Sequence, residues 1–472
     1  MTTTIRAPGT GQVLGDITAL PLEGVAGIVG AARAAAGDWA GAAPHQRAEP
    51  LVAAADELAL RVDELAGQHA RESGKVLAQA HHEVLGAIAL LRRNAELGRT
   101  AAGELAATGG LPGGERDITM VERVPLGVVV AVIPFNFPVE LTMEKAAAAL
   151  AAGNVAIVKL PPQNPLTTAA VLDVLERQLP AGVLQRVYAD TETSAALCAA
   201  PGVDAVSLTG SVGAGVAVAR ATAGVLRPLH LELGGNGAAI VRADADLDHV
   251  VDECLRGRLL MNGQACAATK RVVAHRSVAA DLTERLVAAL TDVDPTDPLS
   301  PGARLGPLID AGAAARVEEQ VQRAIADGAT RALGAPPDGA WFAPTVLADV
   351  PAEAAVLHDD EIFGPVLPVT AYDDDDEALA LANATRLRLT AAVFSADLPT
   401  ALAMAGRLDF GGVVVNGTNN YRPPIVPFGG VDLAGAGREG LGWTFQELTR
   451  TRFIALRGVR PAGIVPIPKG AS

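Results

Sequence analysis

The chain has 472 residues, half of them hydrophobic and 19% charged, which is more than one ordinary core holds and points to two or three domains. A formal net charge of -15 argues against a nucleic acid or an anionic membrane as partner, and 3% aromatic residues leave no platform for stacking bases. The three cysteines, Cys198, Cys254 and Cys266, cannot build a disulfide framework, and their spacing is not that of a zinc site, so no metal is expected.

The start, MTTTIRAPGTGQVLG, lacks the basic and apolar regions of a secretory signal. The most apolar run, PLGVVVAVIP at 125–134, is too short to cross a bilayer, and a cytoplasmic protein is expected. Residues 20–110 carry Ala and Leu at helical spacing, as in QRAEPLVAAADELALRVDELAGQHARESG. His81 and His82 are neighbours on one of these helices; adjacent helical positions do not share a face, so they read as solvated surface. TGGLPGGERD breaks the pattern, and ITMVERVPL reads as extended.

From 125 onward strands alternate with helices. GVVVAVI is a buried strand, VELTMEKAAAALAAG a helix closed by Gly153, and NVAIVKL a second strand. PLTTAAVLDVLERQL, LQRVYA, TETSAALCAA, VDAVSLTG and VGAGVAVARATAG continue the alternation. This order predicts a parallel sheet covered on both faces, with ligands outside the carboxyl ends of its strands. A second α/β section spans about 235–430, with strands GAAIV, KRVVAH, PVLPVTAY and GVVVNG around helices near 278–291 and 311–327. The acidic run DDDDE, 373–377, reads as a solvated helix start, where the dipole favours negative charge. The tail after Arg457 is expected to be loose.

No GxGxxG turn follows the first strand; the nearest glycine-rich turn is TGSVGAG, 209–215, a weak signal alone. Four other stretches carry reactive groups: IPFNFP with Asn136, IVKLPP with Lys159, LELGG with Glu232, and NGQACAA with Cys266. A thiol, a carboxylate, an amide and a lysine at strand ends are the parts for acyl chemistry on an aldehyde or ester. Taken singly, each has an ordinary structural explanation.

Taken together, FNFP, VK, TGS, ELGG, GQxC, LGPLI (305–309), EIFGPV (361–366) and PFGGV…GAGREG (427–440) resemble the aldehyde dehydrogenase superfamily in order and spacing. ARESGK, 70–75, looks like that family's N-terminal helix motif. The resemblance implies an α/β aldehyde dehydrogenase-like fold, with a Rossmann-like parallel-sheet cofactor domain, an α/β catalytic domain and a small β oligomerisation arm. Its expected boundaries are 1–110 and 126–232 for the cofactor domain, 233–430 for the catalytic domain, 431–448 for a return to the first, and 111–125 with 449–472 for the arm and tail. It further implies a homodimer or homotetramer acting on a small-molecule aldehyde.

The resemblance assigns roles residue by residue. Cys266 is the expected nucleophile, Asn136 with the Cys266 N–H the oxyanion site, and Glu232 the base that activates water. Small neighbours of Cys266 leave room for cofactor, substrate and water in turn. NAD or NADP contacts are expected from Lys159, Gly210, Ser211, Leu233, Glu361 and Phe363. Glu439 resembles a residue that assists proton release from the base. Phe135, where tryptophan is common, is expected as a wall of the substrate tunnel. Tyr421 and Arg422 resemble a pair in branches acting on small hydroxylated or anionic aldehydes. Lys159 is followed by Leu160, Pro161 and Pro162, so the carboxylate that repels a 2′-phosphate in many members is missing; NADP or dual use is favoured. Asn236 replaces a frequent lysine with little expected consequence. Two alternatives stand beside this reading. One is a CoA-acylating dehydrogenase, which needs no water-activating base. The other is a cofactor-independent thiol esterase, which needs a histidine paired with Cys266, for which His230 and His275 are the candidates.

Overall fold

The structure, a computed structural model, describes residues 2–101 and 103–460. Most of the tail expected to be loose, beyond residue 460, lies outside the described residues.

Two parallel sheets dominate. The first runs in the order Gly435–Ala436, Leu229–Glu232, Ala205–Thr209, Val128–Val132, Val155–Lys159, Leu184–Val187, parallel except for the short antiparallel strand Gly435–Ala436. Val128, Val129, Val130 and Ala131 are fully buried, as a central parallel strand requires. The chain builds outward from Val128–Val132 on one side and then returns to its other side. The strand order therefore reverses beside Val128–Val132, and a crevice opens there at the carboxyl ends.

Four helices, Val25–Gly41, Pro44–Ala59, Val62–Ser73 and Leu77–Thr100, pack on this sheet through one continuous core. The long stretch read as continuous helix is broken at Leu60–Arg61, where Leu60 is exposed. Leu51, Leu65 and Leu91 are fully buried, and truncating any one to alanine costs about 2–5 kcal/mol. Before these helices, Thr2–Arg6 and Val13–Thr18 pair as an antiparallel hairpin, which the sequence reading, with helices from 20 to 110 and no strand before them, did not anticipate. Its strands are short and rich in Thr, a weak pattern next to the alanine-rich helices.

The second sheet has the order Thr330–Leu333, Thr345–Ala348, Val366–Tyr372, Arg271–His275, Ala238–Val241, Thr390–Phe394, Gly412–Val415, parallel except at its first strand. Thr449–Leu456, Ile118–Pro125 and Glu104–Ala106 form a third, antiparallel sheet. The acidic run starts helix Asp375–Asn383 at an exposed helix end, as expected. Asp374 caps the helix, while Asp373, Asp375 and Asp376 pair with Arg276, Arg242 and Arg407. Among the described residues no helix is long and apolar enough to cross a membrane, and no group of three or more His, Cys, Asp or Glu is placed to hold a metal ion.

Candidate active site

The carboxyl ends of the first sheet face the amino ends of the second. Asn136, Gly210 and Leu233 follow their strands, whereas Cys266 and Glu361 precede Arg271–His275 and Val366–Tyr372. Not all reactive groups therefore sit at carboxyl ends. Cys266 is held by a kinked turn in which Met261, Asn262 and Gly263 have positive φ. Gly263 is required there, because a Cβ would stand 2.2 Å from the Gly364 carbonyl carbon.

Cys266 is the wall between two cavities. One, of about 270 Å³, is lined by Asn136, Phe137, Glu140, Glu232, Arg422 and Glu439 among others. The other, of about 470 Å³, runs from Pro162 and Gln163 past Gly210, Ser211 and Leu233 to Glu361, Phe363 and Cys266. Asn136 borders both. Its Oδ1 accepts the Phe137 N–H at 3.1 Å, which leaves its NH2 group as the donor end. Burial pushes the Cys266 thiol up to about 12; Arg422 and Lys270 pull it down, while Glu232 and Glu361 oppose them. Cys198 and Cys254 are buried in the core.

Glu232 ends its strand 2% exposed, and neither carboxylate oxygen has a hydrogen-bond partner among the described residues. Burial, then repulsion from Glu439, raises its pKa well above the ordinary carboxylate value. Glu439 is the opposite case. Burial pushes its pKa up, but Lys145 and Arg422 hold it down at about 2. Lys145 donates to Glu439 Oε1 at 2.6 Å, Thr209 to the same oxygen at 3.3 Å, and Arg422 to Oε2 at 2.6 Å. Arg422 also lies 4.1 Å from the Phe428 ring centroid. Burial disfavours its charge, but Glu439, Glu144 and Glu140 together hold it protonated.

Lys145 was missed from sequence. It stands on a π-helical turn, Met143–Ala147, within the alanine-rich helix, and is fully buried. A Glu-Lys pair immediately before the run AAAA was the available signal. Lys270, four residues after Cys266, was also missed. It pairs with Glu361 at 3.0 Å and lies 4.5 Å from the Phe363 ring centroid. Asn236 does more than expected: its amide donates to Val356 and His358 carbonyls, tying the loop that leads to Glu361.

Three expectations need correction. Phe135 does not line the smaller cavity; it borders the larger one and packs edge-on against Phe363, at 6.0 Å between centroids. Phe137, two residues on, takes the wall beside Glu232 instead. Tyr421 is 63% exposed and borders neither cavity, so only Arg422 of that pair reaches the site. Lys159 ends its strand almost buried, but Pro162 and Gln163, not Lys159, line the cavity. Burial lowers Lys159 to about 8, and it has no carboxylate in ion-pair range among the described residues. His230 is bound to Ser207 at 2.9 Å and His275 to Ser277 at 2.7 Å, so neither candidate is paired with Cys266.

Two facing α/β sheets with a thiol shared between a switch-point crevice and a second cavity define a two-substrate enzyme of the α/β class. The chain belongs to the aldehyde dehydrogenase family, whose family model matches residues 1–454. It is 32% identical to the glutarate-semialdehyde dehydrogenase of Pseudomonas aeruginosa, over 96% of this chain and 94% of that protein. It is 34% identical to the 3-sulfolactaldehyde dehydrogenase of Priestia aryabhattai, over 88% of this chain and 86% of that one. Among solved structures, NADP-dependent glyceraldehyde-3-phosphate dehydrogenase of Bacillus halodurans, complexed with NADP, superposes with a TM-score of 0.93 at 32% identity, covering 97% of this chain and 96% of that one.

Proposed function

We propose that this chain oxidises a small polar or anionic aldehyde or semialdehyde to its carboxylic acid, with NADP or NAD, through a thioester on Cys266. The observation that carries this reading is the position of Cys266 between two cavities. One holds an amide, three carboxylates and an arginine, and the other a glycine turn and a helix start.

The larger cavity fits a dinucleotide. Ser211 caps helix Val212–Thr222, whose first turn holds no acidic residue, so its N–H groups can receive a pyrophosphate beside Gly210. Leu233 and Phe363 supply apolar walls, Glu361 an acceptor for ribose hydroxyls, and Lys159 an unpaired cation nearby. When bound, the cofactor supplies the acceptor for a hydride.

The Cys266 thiol gives up its proton to water, the thiolate Sγ forms a bond to the aldehyde carbon, and the carbonyl oxygen becomes an oxyanion held by the Asn136 amide and the Cys266 N–H. Departure of hydride from that carbon leaves a thioester. Water then attacks, Glu232 takes its proton, the C–S bond breaks and the acid leaves with the thiol restored. The proton held by Glu232 then passes to the leaving sulfur; Glu439, held ionised by Lys145 and Arg422, acts instead through its charge, which raises the basicity of Glu232. Arg422 has five N–H donors and Glu439 takes one, so others remain for a substrate hydroxyl or carboxylate.

The exposed strand Thr449–Leu456 is the proposed subunit contact. Phe453 is 72% exposed and Leu456 42%, and the outer edge of the strand is unpaired among the described residues, an arrangement suited to a partner strand in a dimer or tetramer.

The test is a panel of hexanal, glyceraldehyde and succinate semialdehyde, each assayed with NAD and with NADP, following reduced nicotinamide. Free acid is the expected product; acyl-CoA formed when CoA is supplied, or no reduction of either nicotinamide with any of the aldehydes, overturns the reading. Arg422→Gln is expected to raise KM about tenfold for the two polar aldehydes and not for hexanal.

A further inference from the structure

The ARESGK motif takes no part in this chemistry, yet with the start of the helix that follows it is tied to the loops that carry Asn136 and Cys266. We infer that residues 72–83 form a positioning frame that fixes the Asn136 amide relative to Cys266 across the two sheets. The inference rests on the roles proposed for those two residues.

Each tie is a hydrogen bond from this one run of chain. Glu72, 1% exposed, accepts from the N–H groups of Leu166 and Thr167, at 2.5 and 2.8 Å, and from the Thr167 hydroxyl at 2.7 Å. It thereby caps helix Pro165–Gln178, whose own N-cap residue, Asn164, offers no side-chain bond. Asn164 instead donates to the Phe135 carbonyl at 2.8 Å. Lys75, fully buried, donates to the Asn136 carbonyl at 2.8 Å, pairs with Glu83, and stands 3.9 Å from the Phe137 ring centroid. Glu83 accepts from Val139 N–H at 2.9 Å and Glu140 N–H at 3.3 Å with one oxygen, and contacts His69 Nε2 at 2.8 Å with the other.

The same run reaches the nucleophile. The Gly74 carbonyl accepts from the Asn262 amide at 2.8 Å, and Gln79 Oε1 accepts the Met261 N–H at 2.8 Å. Met261 and Asn262 are the two left-handed residues of the Cys266 turn. Left-handed backbone at non-glycine residues persists only where its surroundings determine it, and these bonds do so.

Asn136 and Cys266 belong to loops of different sheets, and an oxyanion donor misplaced by about 1 Å loses much of its effect. Neither loop fixes the other directly. The Lys75–Glu83 pair and Gln79 hold both to one short segment, so a shift of one sheet against the other is resisted where it would matter. Lys75, Gln79 and Glu83 are positioning residues, acting through Asn136 and Cys266.

The experiment uses p-nitrophenyl acetate, which acylates Cys266 with loss of p-nitrophenolate and needs the oxyanion site but no cofactor. The variant Lys75→Met with Glu83→Gln removes both buried charges and keeps an acceptor for Val139 N–H. It is expected to lower the acylation rate constant about 10- to 100-fold, with smaller change in KM. In an Asn136→Ala background the same pair of changes should cost no more than about threefold, because the group it positions is gone. Equal losses in both backgrounds, or none, overturn the frame. An Asn136→Ala protein that acylates normally overturns the oxyanion assignment instead. Should the double variant fail to fold, Gln79→Leu decides: acylation about three- to tenfold slower, restored by Gln79→Glu, supports the frame, and wild-type rates in both overturn it.

Discussion

Cys266 is partly buried between the two cavities, and desolvation there pushes its thiol up to about 12, which favours the protonated form in the free protein. Thiolate forms as pH rises, so alkylation by iodoacetamide should be slow at neutral pH and still climbing past about pH 9. It should accelerate when NADP or NAD is added, because a positive ring beside Arg422 and Lys270 favours the anion. Mass spectrometry should place the label on Cys266, because burial raises Cys198 and Cys254 to about 11 and about 12 in cores that reagent does not reach. Glu232 gives a second residue-level test. Its raised pKa means that the base form appears only as pH rises through a point above the ordinary carboxylate range. Thioester hydrolysis should rise with pH along that limb. Glu439→Gln removes the repelling charge, so the limb should move to lower pH. Glu232→Gln should leave a burst of reduced cofactor followed by a very slow steady state; loss of the burst too would give Glu232 a different role. A third test concerns cofactor choice. Pro162 is exposed at the cavity, and Lys159 lacks a carboxylate partner. Pro162→Glu should penalise NADP by about 1 kcal/mol, close to fivefold in the kcat/KM ratio, the charge being partly screened by water. Pro162→Gln controls for the freed backbone. Equal ratios in the two variants would mean that the 2′-position is read elsewhere.

At the scale of elements, the turn before Cys266 shows how little slack the site has. Gly263 has φ +80 and no room for a Cβ against Gly364. Gly263→Ala should therefore cost more than about 2 kcal/mol in urea unfolding and slow acylation of Cys266 as well. Normal stability with normal acylation would show that the turn relaxes freely. The alternation of strand and helix from 125 onward was legible because buried parallel strands read as apolar runs. The amino-end placement of Cys266 and Glu361 was not, because a loop that precedes a strand in one sheet can meet a loop that follows a strand in another only through tertiary packing. The hairpin at Thr2–Thr18 was missed for a local reason: its strands are short and mostly polar.

At the scale of the whole molecule, the three-stranded sheet stands apart from the two cores, with Arg450–Leu456 exposed along its length. If this strand is the subunit contact, Phe453→Asp with Leu456→Asp should give monomers by light scattering while the two sheets keep their thermal unfolding; an unchanged oligomer would place the contact elsewhere. The sequence by itself determined the family and the alternation of strand and helix, and it marked Cys266, Glu232 and Asn136 as the groups to expect at the site, because those motifs are local and each chemistry demands a particular side chain. Tertiary structure alone decided that Phe137 rather than Phe135 faces the smaller cavity, that Tyr421 points away, and that Lys145 and Lys270 join the site. Those outcomes depend on which face of a loop meets its neighbour. They depend too on which buried charges find partners hundreds of residues away, as Lys145 does with Glu439, and no local spacing records that.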